Sequence, residues 1–288
     1  MKKRKKKKKK KKQWKKSRLK KQRKTSLPKS TLQKSKKPKS TEPLSTGTKL
    51  IMSYLEELKK EFSKLANPKQ AELLQRYFKT GKGEYGEGDT FLGISVSKQR
   101  DLVKKYWNSL NLSETQELLN SKIHEHRLTA LLILVKSYQK GDEDKKKKIF
   151  EFYLKNTKNI NNWDLVDSSS RDIVGNYLLE NDKTILYKLA NSNHLWEKRI
   201  AIIATSEFIG HNQFDDTLKI SEILLKDEHD LIHKAVGWML REIGKKDIRV
   251  LEAFLDKHHK TMPRTMLRYA IEKFPEKTRK EYLNGKNE

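Results

Sequence analysis

The sequence predicts an all-α protein, a helical-repeat solenoid in which helical hairpins stack one after another. From residue 52 onwards, apolar residues recur at the three- and four-residue spacing of a helix face. The breaks between these segments are short and carry Gly, Asn or Asp, which is typical of connections between packed helices. No stretch alternates convincingly between apolar and polar residues, so we expect no β-strands.

Residues 1–51 differ sharply in composition from the rest of the chain. They hold 24 of the 66 Lys and Arg residues and one of the 37 acidic residues, which leaves 42 basic and 36 acidic residues for residues 52–288. Because this tail has little to bury and its charges repel, we expect it to be disordered. It either adds non-specific affinity for phosphate backbones or contributes nothing. Since "MSYLEELKKEF" opens a well-formed helix, Met52 is an alternative start, and the tail would then be an artefact of start-site choice.

The net charge of +29 is therefore concentrated in the tail, and any DNA-binding surface beyond it requires local clustering of cations. No apolar run follows the basic stretch, which argues against a signal peptide or a membrane span. The absence of cysteine excludes disulfides and thiolate chemistry and fits a reducing cytoplasm.

The helices can be placed in chain order. "SYLEELKKEFSKLA" puts its apolar residues on one face, and Asn67-Pro68 ends this helix and starts the next. "TGKGEYGEGDTFLGIS" (80–95) is predicted to be a flexible loop. It spells G-x-G-x-x-G, but no strand precedes it and its acidic residues would repel a pyrophosphate, so we reject a dinucleotide site. Further helices are predicted near 97–109, 113–120, 124–139, 144–155, 162–180, 183–190, 195–209, 214–226, 229–243, 247–257, 262–273 and 276–283.

Four of these helices resemble one another, which predicts a repeat. Each starts with polar residues, has a cation at its fourth or fifth position, and then runs apolar for two turns. The cations are Arg127, Arg199, Lys234 and Arg264, at intervals of 72, 35 and 30 residues. Such a period indicates a HEAT-like stack, whose concave face is the usual binding surface.

The helix that contains "HKAVGWMLRE" carries a tryptophan in an unusual position. Helical winding places Trp238 between Lys234 and Arg241 and opposite the core face. The ring either packs on a neighbouring repeat or forms a wall for a flat, electron-poor or anionic partner. The core face itself is predicted to consist of Ile232, Val236, Met239, Leu240 and Ile243. In the same helix, "HDLIH" resembles a zinc-binding pattern but lacks the glutamate and a third ligand, so we expect no metal site.

"NNWDLVD" places Trp163 and Asp167 one turn apart on one helix face. Asp167 either bonds Arg171 or a neighbouring repeat, or it has a chemical role. Asp164 and Asp172 are predicted to be solvated.

Arg199 lies in a helix that is apolar nearly all round, so it needs a buried partner, and Asp167 is a candidate. Arg264 and Arg268, spaced i and i+4, would extend a basic strip.

These segments together resemble a known family. "WDLVD", "LWEKRIAII", "HKAVGWMLREIGK", "MPRTMLRYAIEKF" and "YFKTGKGEYGEGDTFLGI" are similar to the AlkD-like DNA alkylation repair glycosylases, and the similarity covers essentially all of residues 52–288. The resemblance implies that duplex DNA binds the concave face and that purines alkylated at N3 or N7 are excised without deep base flipping. It also implies that neither a metal nor a cofactor is needed. We expect a monomer in the cytoplasm, associated with the nucleoid.

The resemblance assigns roles to particular residues. The catalytic residues would be Trp163, Asp167 and Trp238. Arg199 and Arg241 would face the DNA backbone, and Tyr77 would line the cleft. Lys234, beside Trp238, and Arg264, in the basic strip, are further candidates for DNA contacts on the helix pattern alone. Two alternatives remain: a DNA-binding solenoid without catalysis, and a protein-binding scaffold.

Overall fold

The computed structural model describes residues 52–285, and the prediction of a disordered tail at residues 1–51 lies outside this range. Within it the protein is all-α, as predicted, and its only β-type pairing is an isolated bridge between Thr90 and Ile123. None of the helices in this range is both long and apolar enough to span a bilayer. The α-helices are α1 Tyr54–Leu65, α2 Pro68–Tyr77, α3 Val96–Tyr106, α4 Leu112–Leu119, α5 His124–Lys140, α6 Glu143–Lys155, α7 Trp163–Asp167, α8 Asn176–Leu178, α9 Thr184–Ala190, α10 Leu195–Ala204, α11 Ser206–Gly210, α12 Asp215–Leu224, α13 Asp230–Lys246, α14 Ile248–His258, α15 Arg264–Ala270 and α16 Glu276–Asn284.

Short polar side chains start these helices where the sequence places them. Ser53 caps α1 through the N–H of Glu56, and Asn67 caps α2, which has Pro68 at its first position. Asn111 forms a reciprocal capping box with Glu114 at the start of α4. Each cap satisfies main-chain N–H groups that the first turn of a helix leaves without a partner.

The helices form a stack in which one inner helix packs on the next. The order α5, α7, α10, α13, α15 follows the chain, and hairpin partners such as α4 and α9 pack beside α5 and α10. Two glycines allow very close approach in this row. A Cβ atom on Gly175 would lie 2.2 Å from the carbonyl oxygen of Ala204, and one on Gly237 would lie 2.4 Å from that of Met266.

Two predicted helices are interrupted. The helix expected at 162–180 ends at Asp167 and continues as a π-helical turn, Arg171–Gly175, before α8. The helix expected at 195–209 breaks at Thr205. In both places a hydroxyl bonds a main-chain carbonyl of the preceding turn, Ser169 to Leu165 and Thr205 to Ile202, which is a known cause of helix distortion.

The segment 80–95 joins two helices as predicted, and it forms several hydrogen bonds, while its flexibility stays a prediction. The carboxylates of Glu84 and Glu87 accept hydrogen bonds from the N–H groups of Gly81 and Gly83, at 2.9 and 2.8 Å. The Glu125 carboxylate of α5 accepts the three successive N–H groups of residues 92–94. Polar groups of the loop are thus satisfied within the fold, and this holds the segment against the inner helices.

Candidate functional site

An ion pair between two inner helices lies at the centre of the candidate site. Arg199 of α10 donates from Nε and Nη2 to both carboxylate oxygens of Asp167, at 2.9 and 2.8 Å. Its Nη1 donates to the carbonyl of Leu231, at 2.6 Å, just inside the start of α13. The prediction that buried Arg199 pairs with Asp167 is confirmed. One guanidinium therefore ties α7, α10 and α13 together.

Asp167 is the more accessible member of this pair. Its side chain is 19% exposed, whereas that of Arg199 is 6% exposed. Burial raises the pKa of the Asp167 carboxyl, the charge and hydrogen bonds of Arg199 lower it, and the negative charge of Asp164 raises it further, so that the net shift is upward. The site thus holds a carboxylate whose charge is only partly compensated, and such a group can stabilise positive charge that develops beside it.

Aromatic rings surround the start of α7. Trp163 stacks on Phe78, with ring centroids 5.2 Å apart and planes inclined by 15°. Tyr77, which is 64% exposed, meets the same indole edge-on at 6.1 Å. The structure therefore places Tyr77 beside Trp163, where the resemblance would put a residue lining the cleft.

A buried charge network lies behind these rings. The two imidazole nitrogens of His124 contact Asp89 and Asp164, at 3.1 and 2.8 Å, and Arg127 pairs with Asp89 at 2.6 Å. His124 also stacks on Phe91, at 4.6 Å. The prediction that Asp164 is solvated was wrong, because an imidazole 40 residues earlier in the chain covers it. Asp172, also predicted to be solvated, is half-buried.

Two opposing effects set the pKa values in this network. Burial alone would lower the pKa of His124, but hydrogen bonds to Asp164 and Asp89 raise it above its usual range. Burial alone would raise the pKa of Asp89, but His124 and Arg127 together lower it. Both shifts favour the charged forms of the two groups.

The core face of α13 is as predicted, but Trp238 is not fully opposite to it. The five predicted core residues are buried, whereas Trp238 is half-buried and packs on the edge of the core. Its indole N–H donates to Glu242, at 3.1 Å. Trp238 follows Lys234 by one turn, and this places both on the same side of α13.

The predicted DNA-facing cations hold partners within the fold. Lys234 pairs with Asp230 of its own helix at 2.6 Å, and half-buried Arg241 pairs with Glu272 and Glu242. These cations would have to exchange carboxylates for phosphates on binding DNA.

Two further predictions concern groups away from the Asp167 pair. Arg264 was predicted to extend a basic strip, but its guanidinium donates to the carbonyl of Leu283 in α16.

The two histidines of "HDLIH" both contact the main chain. His229 accepts the N–H of Leu231, and His233 contacts the carbonyl of Asp227. Within residues 52–285 no group of three His, Cys, Asp or Glu side chains is arranged to hold a metal ion.

Sequence reasoning missed Tyr85, which projects from the 80–95 loop into the same region. Its ring meets Trp196 edge-on at 6.0 Å and packs against the edge of the core. An aromatic residue amid "GKGEYGEGD" was the available signal, since an exposed loop has no need of a large apolar ring.

The stacked helices and the carboxylate–arginine pair among indoles define a helical-repeat protein with a polar, aromatic-lined site on its inner helices. A family model for DNA alkylation repair enzymes matches residues 58–274. The chain therefore belongs to the DNA alkylation repair enzyme family.

Two solved structures resemble the protein. One is described as a "Predicted DNA alkylation repair enzyme from Enterococcus faecalis", has 16% sequence identity and a TM-score of 0.57, and the match covers 73% of this chain and 97% of that one. This similarity shows the shared fold. The other is smu.31 from Streptococcus mutans UA159, with 18% identity, a TM-score of 0.46, and coverage of 77% and 97%. A comparison with curated proteins found no match.

Proposed function

We propose that the protein is a monofunctional DNA glycosylase that excises purines made cationic by alkylation at N3 or N7, such as 3-methyladenine and 7-methylguanine, in base excision repair. The observation that carries the proposal is the position of Asp167. Its carboxylate is held by Arg199, lies one turn from Trp163, and remains partly accessible. A carboxylate oriented in this way is suited to a reaction that creates positive charge.

The chemistry of the lesion matches these groups. When the N-glycosidic bond of a cationic base breaks, its electron pair goes to the base, which leaves neutral, and positive charge appears on the deoxyribose. The Asp167 carboxylate stabilises this charge and orients a water molecule, whose oxygen bonds to C1′ and whose proton is released. The indoles of Trp163 and Trp238 attract the cationic base, at about 0.5–2 kcal/mol each.

We further propose that the partner is duplex DNA and that one protein molecule acts alone, without a cofactor, in the cytoplasm at the nucleoid. Lys234 and Arg241 would supply contacts to the backbone of the damaged strand, as would Arg264 once it releases the carbonyl of Leu283. Arg199, which is buried and bonded to Asp167 and Leu231, would act on the strand by positioning the carboxylate. Tyr77, exposed beside Trp163, would contact the lesion nucleotide. The base would remain stacked while the sugar is contacted.

The test is a single-turnover assay on a duplex that contains one 7-methylguanine. We expect release of the free base at a rate well above the spontaneous one. Trp238→Ala should slow this release because one cation-binding ring is lost. Asp172→Asn is the matched control, since Asp172 is a half-buried carboxylate outside the Arg199 pair, and it should react like the wild type. No base release by folded wild-type protein would contradict the proposal.

A second candidate is DNA binding without catalysis. The observation that favours it is that both oxygens of Asp167 already accept hydrogen bonds from Arg199. This candidate predicts tight binding of methylated duplex with no release of free base. The third alternative, a protein-binding scaffold, predicts neither tight binding of the duplex nor release of the base.

A further inference from the structure

A second ion pair lies one turn beyond the Asp167–Arg199 pair. Arg171, in the π-helical turn, follows Asp167 by four residues, and its Nε donates to Oε2 of Glu207 in α11, at 2.9 Å. The Arg171 side chain is 52% exposed, whereas that of Glu207 is 12% exposed and also accepts a hydrogen bond from Asn176, at 3.2 Å. An exposed guanidinium is thus held by a carboxylate that the fold itself keeps in place.

The same arrangement recurs between α13 and the end of α15, where Arg241 pairs with Glu272. Glu207 lies eight residues after Arg199, and Glu272 lies eight residues after Arg264. Arg199 and Arg264 are both aligned cations of the repeat. In both places an arginine of one repeat therefore bonds a glutamate at the same register of the next repeat.

The intervening repeat also carries a carboxylate at this register. Glu242 of α13 lies eight residues after the aligned cation Lys234. It pairs with Lys245 at 2.7 Å and with Arg241 at 3.4 Å. Three successive repeats thus place a glutamate at one position, and each glutamate pairs with at least one cation. We call these residues the glutamate row: Glu207, Glu242 and Glu272.

The glutamate row opposes the binding of a polyanion. A phosphate that takes Arg171 leaves the Glu207 carboxylate unpaired, and this carboxylate then regains a cation from solution. The uptake offsets the counterion that the phosphate releases, and counterion release supplies essentially all of the affinity for undamaged DNA. Repulsion between the carboxylate and the phosphates acts in the same direction.

We propose that the glutamate row masks arginines of the inner surface and so keeps the affinity for undamaged duplex DNA low. This inference rests on the duplex DNA partner of the proposed function, but it does not require base excision. It adds Arg171 to the residues that face DNA, as a cation that reaches phosphate only when it leaves Glu207. The mask limits the time that the protein spends on DNA without a lesion.

The test measures affinity for an undamaged duplex over a range of salt concentrations. Glu207→Gln should bind at least about threefold more tightly than wild type, with a slope of log K against log salt that is steeper by about 0.9, because one masked cation becomes free to release a counterion. Adding Arg171→Gln removes that cation, so the double variant should return close to the wild-type affinity and slope. Glu143→Gln is the matched control. It makes the same change in net charge at a pair with Lys146 within α6, outside the row of inner helices, and should bind like wild type.

Glu272→Gln, at an exposed carboxylate, provides a second variant if Glu207→Gln melts early, and it should shift the affinity in the same direction. Unchanged or weaker binding by both folded variants would overturn the inference, as would a gain of the same size in Glu143→Gln. A wild type that releases no base from a methylated duplex would contradict the proposed glycosylase function, whereas the gain in Glu207→Gln would still support the mask. Failure of the wild type and of all variants to bind duplex DNA would overturn both.

Discussion

Two buried arginines, Arg127 and Arg199, lie 72 residues apart at equivalent positions of the repeat, and their aspartate partners differ in how completely they are enclosed. Both guanidinium groups are buried. The Asp89 side chain beside Arg127 is 4% exposed, whereas that of Asp167 beside Arg199 is 19% exposed. Asp89 has a second cationic partner, His124, and its pKa is lowered. The pKa of Asp167 is raised.

The difference separates a structural ion pair from one that is available for chemistry. A carboxylate that is almost fully buried between a guanidinium and an imidazole has little capacity left to bind a ligand, and its removal leaves a buried charge unpaired. A carboxylate with one cation, an open side and a raised pKa gains from any further positive charge brought to it. The two carboxylates differ because Asp89, from the 80–95 loop, contacts both Arg127 and His124, whereas Asp167, at the end of α7, pairs with Arg199 and keeps one side open.

The largest effect is expected from the enclosed pair. Asp89→Asn leaves Arg127 without its carboxylate partner and leaves His124 with Asp164 alone. Breaking a buried pair in this way typically costs about 3–5 kcal/mol of folding free energy. Denaturant melts measure the loss, and Asp101→Asn, at an exposed surface pair with Lys104, is the control, with an expected change of about 0–1 kcal/mol. A loss below about 1 kcal/mol for Asp89→Asn would show that the two pairs do not differ as described.

His124→Gln should lower stability by about 3 kcal/mol at pH 6, because Asp89 and Asp164 lose the cation between them. Since the folded-state pKa of His124 is raised, its contribution is fully present below the unfolded pKa of about 6.5 and is lost as pH rises through the folded value. The difference in unfolding free energy between wild type and variant should therefore narrow as pH rises. A difference that widens would mean that His124 is neutral in the fold.

Asp167→Asn should reduce base release at least about tenfold, equivalent to about 1.4 kcal/mol in the barrier, while DNA affinity changes only a few-fold. In the proposed mechanism, the carboxylate stabilises charge that develops only in the transition state. Single-turnover rates and equilibrium binding on one preparation separate the two quantities. An unchanged rate would remove Asp167 from the mechanism.

The smallest effect is a pair of opposite pH slopes in stability. Asp89, with its lowered pKa, stabilises the fold above the unfolded pKa of about 3.9, and this is lost as pH falls through the folded value. Asp167, with its raised pKa, is favoured in its protonated form, so its contribution improves as pH falls. The unfolding free energy of the wild type minus that of Asp89→Asn should fall on acidification. The corresponding difference for Asp167→Asn should rise. Each should change by about 1 kcal/mol or less per pH unit. If both differences changed with pH in the same direction, Asp89 and Asp167 would not differ in pKa shift as described.

The helix positions and the Arg199–Asp167 ion pair could be predicted from the sequence. The helices follow from the local spacing of apolar residues, and the ion pair follows because a buried guanidinium requires a counter-charge. Apolar spacing defines the core face of α13, and a guanidinium inside an apolar helix requires a counter-charge, which pointed to Asp167. The burial of Asp164 could not be inferred, because helical winding identifies a face but not the imidazole from another repeat that covers it. Tyr85 lies in a segment without periodicity. The π-helical turn includes Gly175, whose close approach to Ala204 of α10 is a tertiary contact that local pattern does not show.

The glycine at 237 has a consequence for how the stack unfolds. Alanine at an ordinary helix interior position is better than glycine by about 1 kcal/mol. Here a methyl group would lie 2.4 Å from the carbonyl oxygen of Met266, so the substitution that suits α13 alone would force α15 away. At this position, close packing between α13 and α15 outweighs the intrinsic helix propensity of α13. Hydrogen exchange should accordingly report α13 and α15 opening as a single cooperative unit, with neither helix keeping its protection once the other has detached.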